Sequence, residues 1–159
     1  MASTSTLSQL FRPIKFLVHN KEITMSYNVS ELLMSSLEQM GISDVAQGSL
    51  DDHSTITLKL TDDNPDINII TQNDETWIWS VLGEFNQNAL TFNSANLLPF
   101  MINSHSDNFI FGQPSLVEVE GNLEFRAQVK SENLESVTAF TDMLDAFFTQ
   151  LMDYQAAMA

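Results

Sequence analysis

The chain has 159 residues, with 6 Lys and Arg against 21 Asp and Glu, a formal net charge of −15 and no cysteine. This charge opposes direct binding to nucleic acid or to an anionic membrane surface, and the lack of cysteine excludes disulfides and thiolate metal sites. With 43% hydrophobic residues and eleven Phe, the chain has enough apolar material to fold as one domain.

The first 24 residues differ in charge from the rest of the chain. They hold three of the six basic residues, Arg12, Lys15 and Lys21, so residues 25–159 carry 3 bases against 20 acids. The segment lacks the pattern of a secretory signal. We interpret residues 1–24 as an N-terminal extension, either flexible or foreign to the natural protein with Met25 as its start, and residues 25–159 as the domain.

A capping pattern marks the first predicted helix. Asn28 is followed three residues later by Glu31, and apolar residues then recur on one helical face until Gly41, a common stop signal. The apolar residues of this face are Val29, Leu32, Leu33, Leu37 and Met40.

Three strands follow, joined by short polar turns. Apolar and polar residues alternate over residues 56–60, a period of two that is typical of strands, and short apolar runs at 67–70 and 76–82 predict two more strands. Because the connections are short, the three strands form an antiparallel meander. In the third strand, one face carries Trp77, Trp79 and Val81, and the other carries Ile78 and Leu82.

The second half of the chain predicts a helix, a hairpin and a long helix. We expect the helix over residues 94–103, kinked or shortened at Pro99, which lacks an amide donor. A hairpin turn at Gly121-Asn122 joins two further strands, and helical spacing of apolar residues over residues 134–152 predicts the last helix. The longest apolar run, residues 97–102, is far shorter than the ~20 residues that span a bilayer, so we predict no membrane insertion.

The order of these elements predicts an α+β fold. A helix, three strands, a helix, two strands and a helix (α-β-β-β-α-β-β-α) give a five-stranded antiparallel sheet with three helices.

Several stretches of this sequence resemble a known family, the class IB chaperones of bacterial type III secretion systems, in particular the InvB-like or SpaK-like type. The stretches are Val29-Ser30-Glu31-Leu32-Leu33, Asp51-Asp52-His53-Ser54-Thr55-Ile56, Pro65-Asp66-Ile67-Asn68-Ile69 and Trp77-Ile78-Trp79 with Leu82-Gly83. The resemblance covers nearly all of residues 25–154. The chain departs from the family pattern in its N-terminal extension, at Pro99 and in residues 104–115.

The resemblance implies a homodimer in the bacterial cytoplasm. Such a protein binds the N-terminal chaperone-binding segment of type III secreted effector proteins, keeps it extended and competent for secretion, and helps to target it to the secretion apparatus, with the secretion ATPase as a further partner. It implies no enzymatic activity and no cofactor.

Candidate effector-binding residues lie on the first helix and the sheet. They are Leu33, Met34, Leu37, Met40, Ile56, Leu58, Trp77 and Trp79. The same alternation describes an ordinary helix-on-sheet core, and we expect at least half of these residues to belong to it. An extended peptide can add to a sheet edge through main-chain hydrogen bonds while its side chains enter apolar pockets.

Candidate dimer contacts lie on the second helix and the strand after it. In the resembled fold, these are the elements where subunits meet. The candidates are Leu97, Leu98, Met101, Ile102, Val117 and Val119.

Polar residues in the sequence suggest three possible chemical sites, a calcium loop, a histidine metal site and a hydrolase site, and each has a structural alternative. Asp62, Asn64 and Asp66 match the start of a calcium loop, but the Gly and the closing Glu of that loop are replaced, which favours a polar turn. The three histidines are not at metal-ligand spacing, so we predict no metal site. A hydrolase centred on His53 lacks a nucleophile elbow, and Asp51 to Ser54 fit a strand cap better.

A second function remains open alongside the chaperone. The acidic charge itself could bind a basic partner, as in an acidic inhibitor or a nucleic-acid mimic. Binding of that kind would weaken steeply with salt, whereas capture through apolar contacts would persist.

Overall fold

A computed structural model describes residues 28–41, 55–60 and 63–159. The N-terminal extension, the Asp51 to Ser54 segment and Asp62 lie outside these residues. The predictions of an extension, of a strand cap and of a polar turn at these positions therefore stay predictions. In chain order the elements are α1 (Val29–Gln39), β1 (Ile56–Leu58), β2 (Ile67–Gln72), β3 (Glu75–Glu84), α2 (Gln87–Asn103), β4 (Ser115–Val119), β5 (Asn122–Val129) and α3 (Val137–Ala157). Short 3-10 helices lie at Ile110–Gly112 and Ser131–Leu134. The predicted fold class and element order are confirmed.

The first helix begins and ends where its sequence signals indicate. The Asn28 side chain accepts a hydrogen bond from the Glu31 backbone N–H at 2.8 Å, which satisfies one of the free amides of the first turn. Gly41 follows the helix with a φ of 76°, a left-handed conformation that glycine adopts without strain.

The five strands form one antiparallel sheet in the order β1-β2-β3-β5-β4. Ile69 pairs with Ile78, and Ile78 pairs in turn with Ala127, so the central strands bring apolar residues together on one face. The register between β3 and β5 shifts between Val81 and Gly83, where the ladder is irregular. The predicted meander of the first three strands is confirmed, and β1 and β4 are the sheet edges.

The turn between β4 and β5 lies one residue earlier than predicted. The two central residues are Glu120 and Gly121, with φ values of 50° and 84°, and Val119 pairs with Asn122. The Glu118 carboxylate accepts a hydrogen bond from the Gly121 N–H at 2.7 Å. This local bond stabilises a turn with Glu120 in the left-handed position, instead of Asn122 as the sequence suggested.

The core lies between the sheet and α3. Phe147 on α3 packs against Phe125 of β5 at a ring-centroid distance of 5.1 Å, and Tyr154 lies 4.6 Å from the same ring. Helix α1 contacts α3, and Thr141 donates a hydrogen bond to Ser36 between these helices at 2.8 Å. The buried residues of α3 are Phe140, Met143, Leu144, Phe147, Phe148, Leu151 and Tyr154.

The prediction for α2 was wrong in its start and in its shortening at Pro99. The helix spans 17 residues from Gln87 and continues through Pro99. Asn86 caps its first turn by accepting from the Ala89 N–H at 3.1 Å, and Phe100 anchors its end on Tyr154 at a ring-centroid distance of 4.9 Å. Capping and packing at the two ends offset the loss of one amide donor inside the helix.

Candidate functional site

The sheet face opposite the core carries two tryptophans. Along β3, Thr76, Ile78 and Ser80 are buried against the core, while Trp77 and Trp79 on the other face are half-buried. This alternation follows from the two-residue period of a strand. The outer sheet face, as we call the side of the sheet that carries Trp77 and Trp79, is therefore apolar in its centre.

An ion pair lies beside these tryptophans on β5. Trp79 pairs across the strands with Arg126, whose guanidinium donates to the Glu124 carboxylate at 2.6 Å. Glu124 is buried, and Arg126 is about one-third exposed, with a relative side-chain exposure of 35%. The Nε atom of Arg126 is buried and has no hydrogen-bond partner among the described residues. The centre of the face thus carries a partly exposed arginine side chain next to aromatic rings.

Two depressions share Trp77 and Arg126 and run together across the outer sheet face. One, of about 260 Å³, is lined by Ile70, Gln72, Trp77, Trp79 and Arg126. The other, of about 410 Å³, is lined by Trp77, Ile110, Phe111, Gln113, Ser115, Val117, Arg126, Ala127 and Gln128. We call the two depressions together the trough. It crosses β2, β3, β5 and β4, and the Trp77 indole lies between its halves.

Charge around the trough is acidic. The Trp77 indole N–H donates to the Glu75 carboxylate at 3.2 Å, so an anionic group lies beside the trough, although Glu75 is not one of its lining residues. Over the described residues there are 16 acids against 3 bases, Lys59, Arg126 and Lys130. Lys59 is paired with Asp66 at 2.8 Å and Arg126 with Glu124. A basic ligand is favoured over an acidic one.

The predicted effector-binding residues do not form one surface. Four of them, Leu33, Leu37, Ile56 and Leu58, are buried in the core between α1, the sheet and α3. Met34 and Met40 are half-buried on α1, and only Trp77 and Trp79 line the trough.

The predicted dimer residues are likewise divided. Leu97 is buried and Met101 is packed against the core, whereas Leu98 and Ile102 are 57% and 70% exposed. Val117 and Val119 are half-buried on β4, at positions paired with the outer-face residues Glu124 and Asn122. They lie on the sheet and not on the exposed side of α2.

Two exposed phenylalanines escaped the sequence prediction. Phe92 on α2 is 87% exposed and Phe111 after α2 is 98% exposed. Phe92 joins Leu98 and Ile102 within about one-third of the helix circumference, and we call these three residues the outer face of α2. Phe111 lies in the run Asn108-Phe109-Ile110-Phe111-Gly112, and the three apolar residues of this run predict a buried segment. The glycine that follows Phe111 is the one local sign of a left-handed backbone.

The titratable groups of the described residues form no candidate metal cluster. In those ranges no group of three His, Asp or Glu side chains could hold a metal ion. His105 lies 3.0 Å from Asp107, and this hydrogen bond, together with the charge of His105, lowers the pKa of the exposed Asp107 carboxyl. Burial raises the pKa of the Tyr154 hydroxyl in the core. In the part of the chain that the structure describes, no helix is long and apolar enough to cross a membrane.

Known proteins resemble this chain in sequence and in fold. A sequence model of the invasion protein B family matches residues 41–120. The surface presentation of antigens protein SpaK of Salmonella typhimurium is 32% identical over 125 residues, which cover 78% of this chain and 90% of the relative, and the protein of the same name from Salmonella typhi matches equally well.

A solved structure shares the fold. The structure of the HopA1-SchA chaperone-effector complex contains a chain that matches with a TM-score of 0.51 and 14% identity, covering 85% of this chain and 99% of that one.

Proposed function

Because this chain belongs to the invasion protein B family of type III secretion chaperones, we propose that it binds the N-terminal chaperone-binding segment of effector proteins in the bacterial cytoplasm. It keeps that segment extended and competent for secretion, and it helps to target it to the secretion apparatus, where the secretion ATPase is a further partner. It acts by binding and does not catalyse a reaction.

The trough carries this proposal. It places Trp77 and Trp79 on an accessible sheet face of a strongly acidic chain, next to the edge strand β4. An extended segment can lay apolar side chains into the trough, and its main chain can pair with a sheet edge. Aromatic side chains in such a place supply a large contact area with little loss of conformational freedom.

The energetics require several contacts. Ordering a disordered segment costs about 2–5 kcal/mol, which burial of roughly 80–200 Å² of apolar surface offsets at about 25 cal/mol per Å². Loss of translational freedom on association adds several kcal/mol more. The two tryptophans cannot supply all of this, so we assign Met34 and Met40 on α1 as additional, adaptable contacts. The four buried candidates support these elements from within the core.

The outer face of α2 is our candidate for the homodimer contact. Phe92, Leu98 and Ile102 expose apolar side chains together, and exposed apolar patches of this kind mark interaction sites. In a symmetric dimer the same patch meets itself across a two-fold axis. The family resemblance supports a dimer through this helix.

Replacement of both tryptophans tests the effector proposal. The protein with Trp77→Ala and Trp79→Ala should lose co-purification of a type III effector that the natural protein retains on co-expression, and it should keep its circular dichroism spectrum. The matched control is Phe85→Ala, which removes an exposed ring that lines neither depression of the trough and should retain the effector. Full retention by the tryptophan variant would contradict the assignment.

An acidic inhibitor or nucleic-acid mimic is the second candidate function. The excess of 16 acids over 3 bases in the described residues favours it. Its partner would be a basic surface, and its affinity would fall steeply as salt is raised. The salt dependence of binding therefore separates the two functions.

A further inference from the structure

Phe111 is exposed and strained at the same time. Its backbone has a φ of 61° and a ψ of 10°, in the left-handed region that bulky residues avoid, and its side chain is 98% exposed. Gly112 follows with a φ of 84°. Neither burial nor backbone preference explains a phenylalanine here, and strained positions of this kind cluster at binding sites.

The surrounding loop is firmly held. The Ser106 N–H donates to the Gly112 carbonyl, and a Cβ added at Gly112 would lie 2.5 Å from the His105 ring, so that ring packs directly on the glycine. Phe109 is fully buried, with its ring 6.1 Å from that of Phe147. The loop therefore fixes Phe111 in its exposed position.

Phe111 lines the end of the trough nearest to β4. It shares the larger depression with Trp77, Val117 and Arg126. Strands in a sheet lie about 4.8 Å apart, so the distance from β2 to β4 across three spacings is roughly 14 Å. At about 3.4 Å per residue, an extended segment of four or five residues fills that length.

The trough has two halves, one on each side of the Trp77 indole. In an extended peptide the side chains of residues i and i+2 point the same way and lie about 6.8 Å apart, which suits one apolar side chain in each half. The guanidinium of Arg126 beneath them can donate to a main-chain carbonyl. The charge of the chain favours one extended basic segment over a second copy of the same strongly acidic chain.

We propose that Phe111 and Trp77 clamp an apolar side chain of the bound segment, and that the trough selects segments with apolar residues at i and i+2 flanked by Lys or Arg. The preference for basic flanks follows from the Glu75 carboxylate at the trough and the acidic charge of the whole chain. This inference rests on the proposed function and adds to it the spacing and charge of the ligand.

The test uses two synthetic peptides of identical composition with the full-length protein. The first is Lys-Lys-Leu-Ser-Leu-Ser-Lys-Lys, with leucines at i and i+2, and the second is Lys-Lys-Leu-Leu-Ser-Ser-Lys-Lys. The chain has two Trp, so the indole N–H signals in a nitrogen–proton correlation spectrum report on Trp77 and Trp79 directly. The first peptide should shift the Trp77 indole and the Arg126 Nε–H signals, and the second should bind several-fold more weakly.

Phe111→Gly separates the clamp from a structural role. Glycine accepts the left-handed backbone, so the variant should fold at least as well as the natural protein. It should bind the first peptide roughly tenfold more weakly, the usual effect of removing a contact aromatic. Phe85→Ala, which removes an exposed ring outside the trough, should leave the peptide affinity unchanged.

Each remaining outcome decides against one claim. The clamp would be wrong if Phe111→Gly bound the first peptide as tightly as the natural protein does, or if the natural protein bound both peptides equally well. In either case, effector capture by the natural protein would leave the proposed function standing. Conversion of a dimer to monomers by Phe111→Gly would show that Phe111 contacts a second copy and would also overturn it. Failure of the natural protein to bind any effector segment would instead remove the proposed function.

Discussion

Trp79 and Arg126 face each other across β3 and β5, and the same guanidinium holds the buried Glu124 carboxylate at 2.6 Å. An indole, a cation and a buried anion are thus fixed side by side in the centre of an otherwise accessible sheet face. Because Glu124 and Arg126 are two residues apart on one strand, their side chains share a face without any long-range constraint.

Removal of the Glu124 carboxylate should destabilise the protein. In Glu124→Ala the Arg126 guanidinium loses its charged partner while its Nε–H already lacks an acceptor among the described residues. We expect a loss of about 1–3 kcal/mol in the free energy of unfolding, measured by urea denaturation. Glu38→Ala, at an exposed position on α1, should change it by no more than about 0.5 kcal/mol. Equal effects of the two variants would show that the ion pair contributes nothing.

Two substitutions at Phe111 should differ in stability although both remove the ring. In the alanine variant, the left-handed backbone lowers the free energy of unfolding by about 1–2 kcal/mol. In the glycine variant, the greater freedom of the unfolded chain lowers it by about 0.4–1 kcal/mol. Phe111→Gly should therefore be more stable than Phe111→Ala by roughly 0.5–1 kcal/mol in chemical denaturation. The opposite order would mean that the residue does not occupy the left-handed conformation in solution.

The outer face of α2 should control the oligomeric state. Leu98→Asp with Ile102→Asp places two charges on exposed positions and should give monomers in multi-angle light scattering. Met101 is a poorer choice because it packs partly against the core. Phe111→Gly is the matched control and should leave the dimer intact. A dimer that survives the double Asp variant would place the contact elsewhere.

Core and surface phenylalanines should respond very differently to truncation. Phe147 is fully buried and touches the rings of Phe109 and Phe125. Phe147→Ala should lower the free energy of unfolding by about 3–5 kcal/mol, because it removes apolar contacts and leaves a cavity. Phe111→Gly, which removes a ring that is 98% exposed and places glycine on a left-handed backbone, should not lower that free energy. Similar losses at both positions would contradict the placement of the core.

Stability should fall at high pH through Tyr154. Its hydroxyl is buried without a hydrogen-bond partner among the described residues, and burial raises its pKa above the ordinary value of 10.0. The folded state then holds this proton more tightly than the unfolded state, so its contribution to stability is complete below pH 10 and is lost as pH rises through the raised pKa.

Tyr154→Phe isolates that contribution. It should raise stability near pH 8 by about 1 kcal/mol, because an unsatisfied hydroxyl leaves the core, and it should flatten the decline between pH 9 and 11. Thermal unfolding at several pH values measures both effects. An unchanged slope would assign the alkaline decline to other groups.

Local signals predicted much of the fold. The Asn28 cap, the glycine at 41 and the alternation around Trp77 act over a few residues, and each was confirmed in place. The start of α2 was missed because Phe92 and Ile102 expose apolar residues on its outer side, which blurs the periodicity that marks one buried face. The predicted last helix also began early, since Ser131–Leu134 forms a 3-10 turn before the Ser136 cap.

The candidate site was predictable only in part. The two-residue period of the strand predicted that both tryptophans lie on one face of the sheet. It did not predict whether that face is the one covered by the helices. That choice depends on contacts between distant parts of the chain, such as Phe125 with Phe147. The exposure of Phe111 depends on the loop around it, which is held by the buried Phe109 and by the hydrogen bond between Ser106 and Gly112, and these contacts require the tertiary fold.

The salt dependence of effector binding tests the central claim most directly. Isothermal titration calorimetry should follow the full-length protein with the N-terminal segment of a type III effector from the same bacterium, between 50 and 200 mM salt. Capture through the trough predicts binding with a negative heat-capacity change and an affinity that varies by less than about tenfold over this range. No binding, or an affinity that falls roughly a thousandfold as for a charge-driven nucleic-acid mimic, would contradict the account.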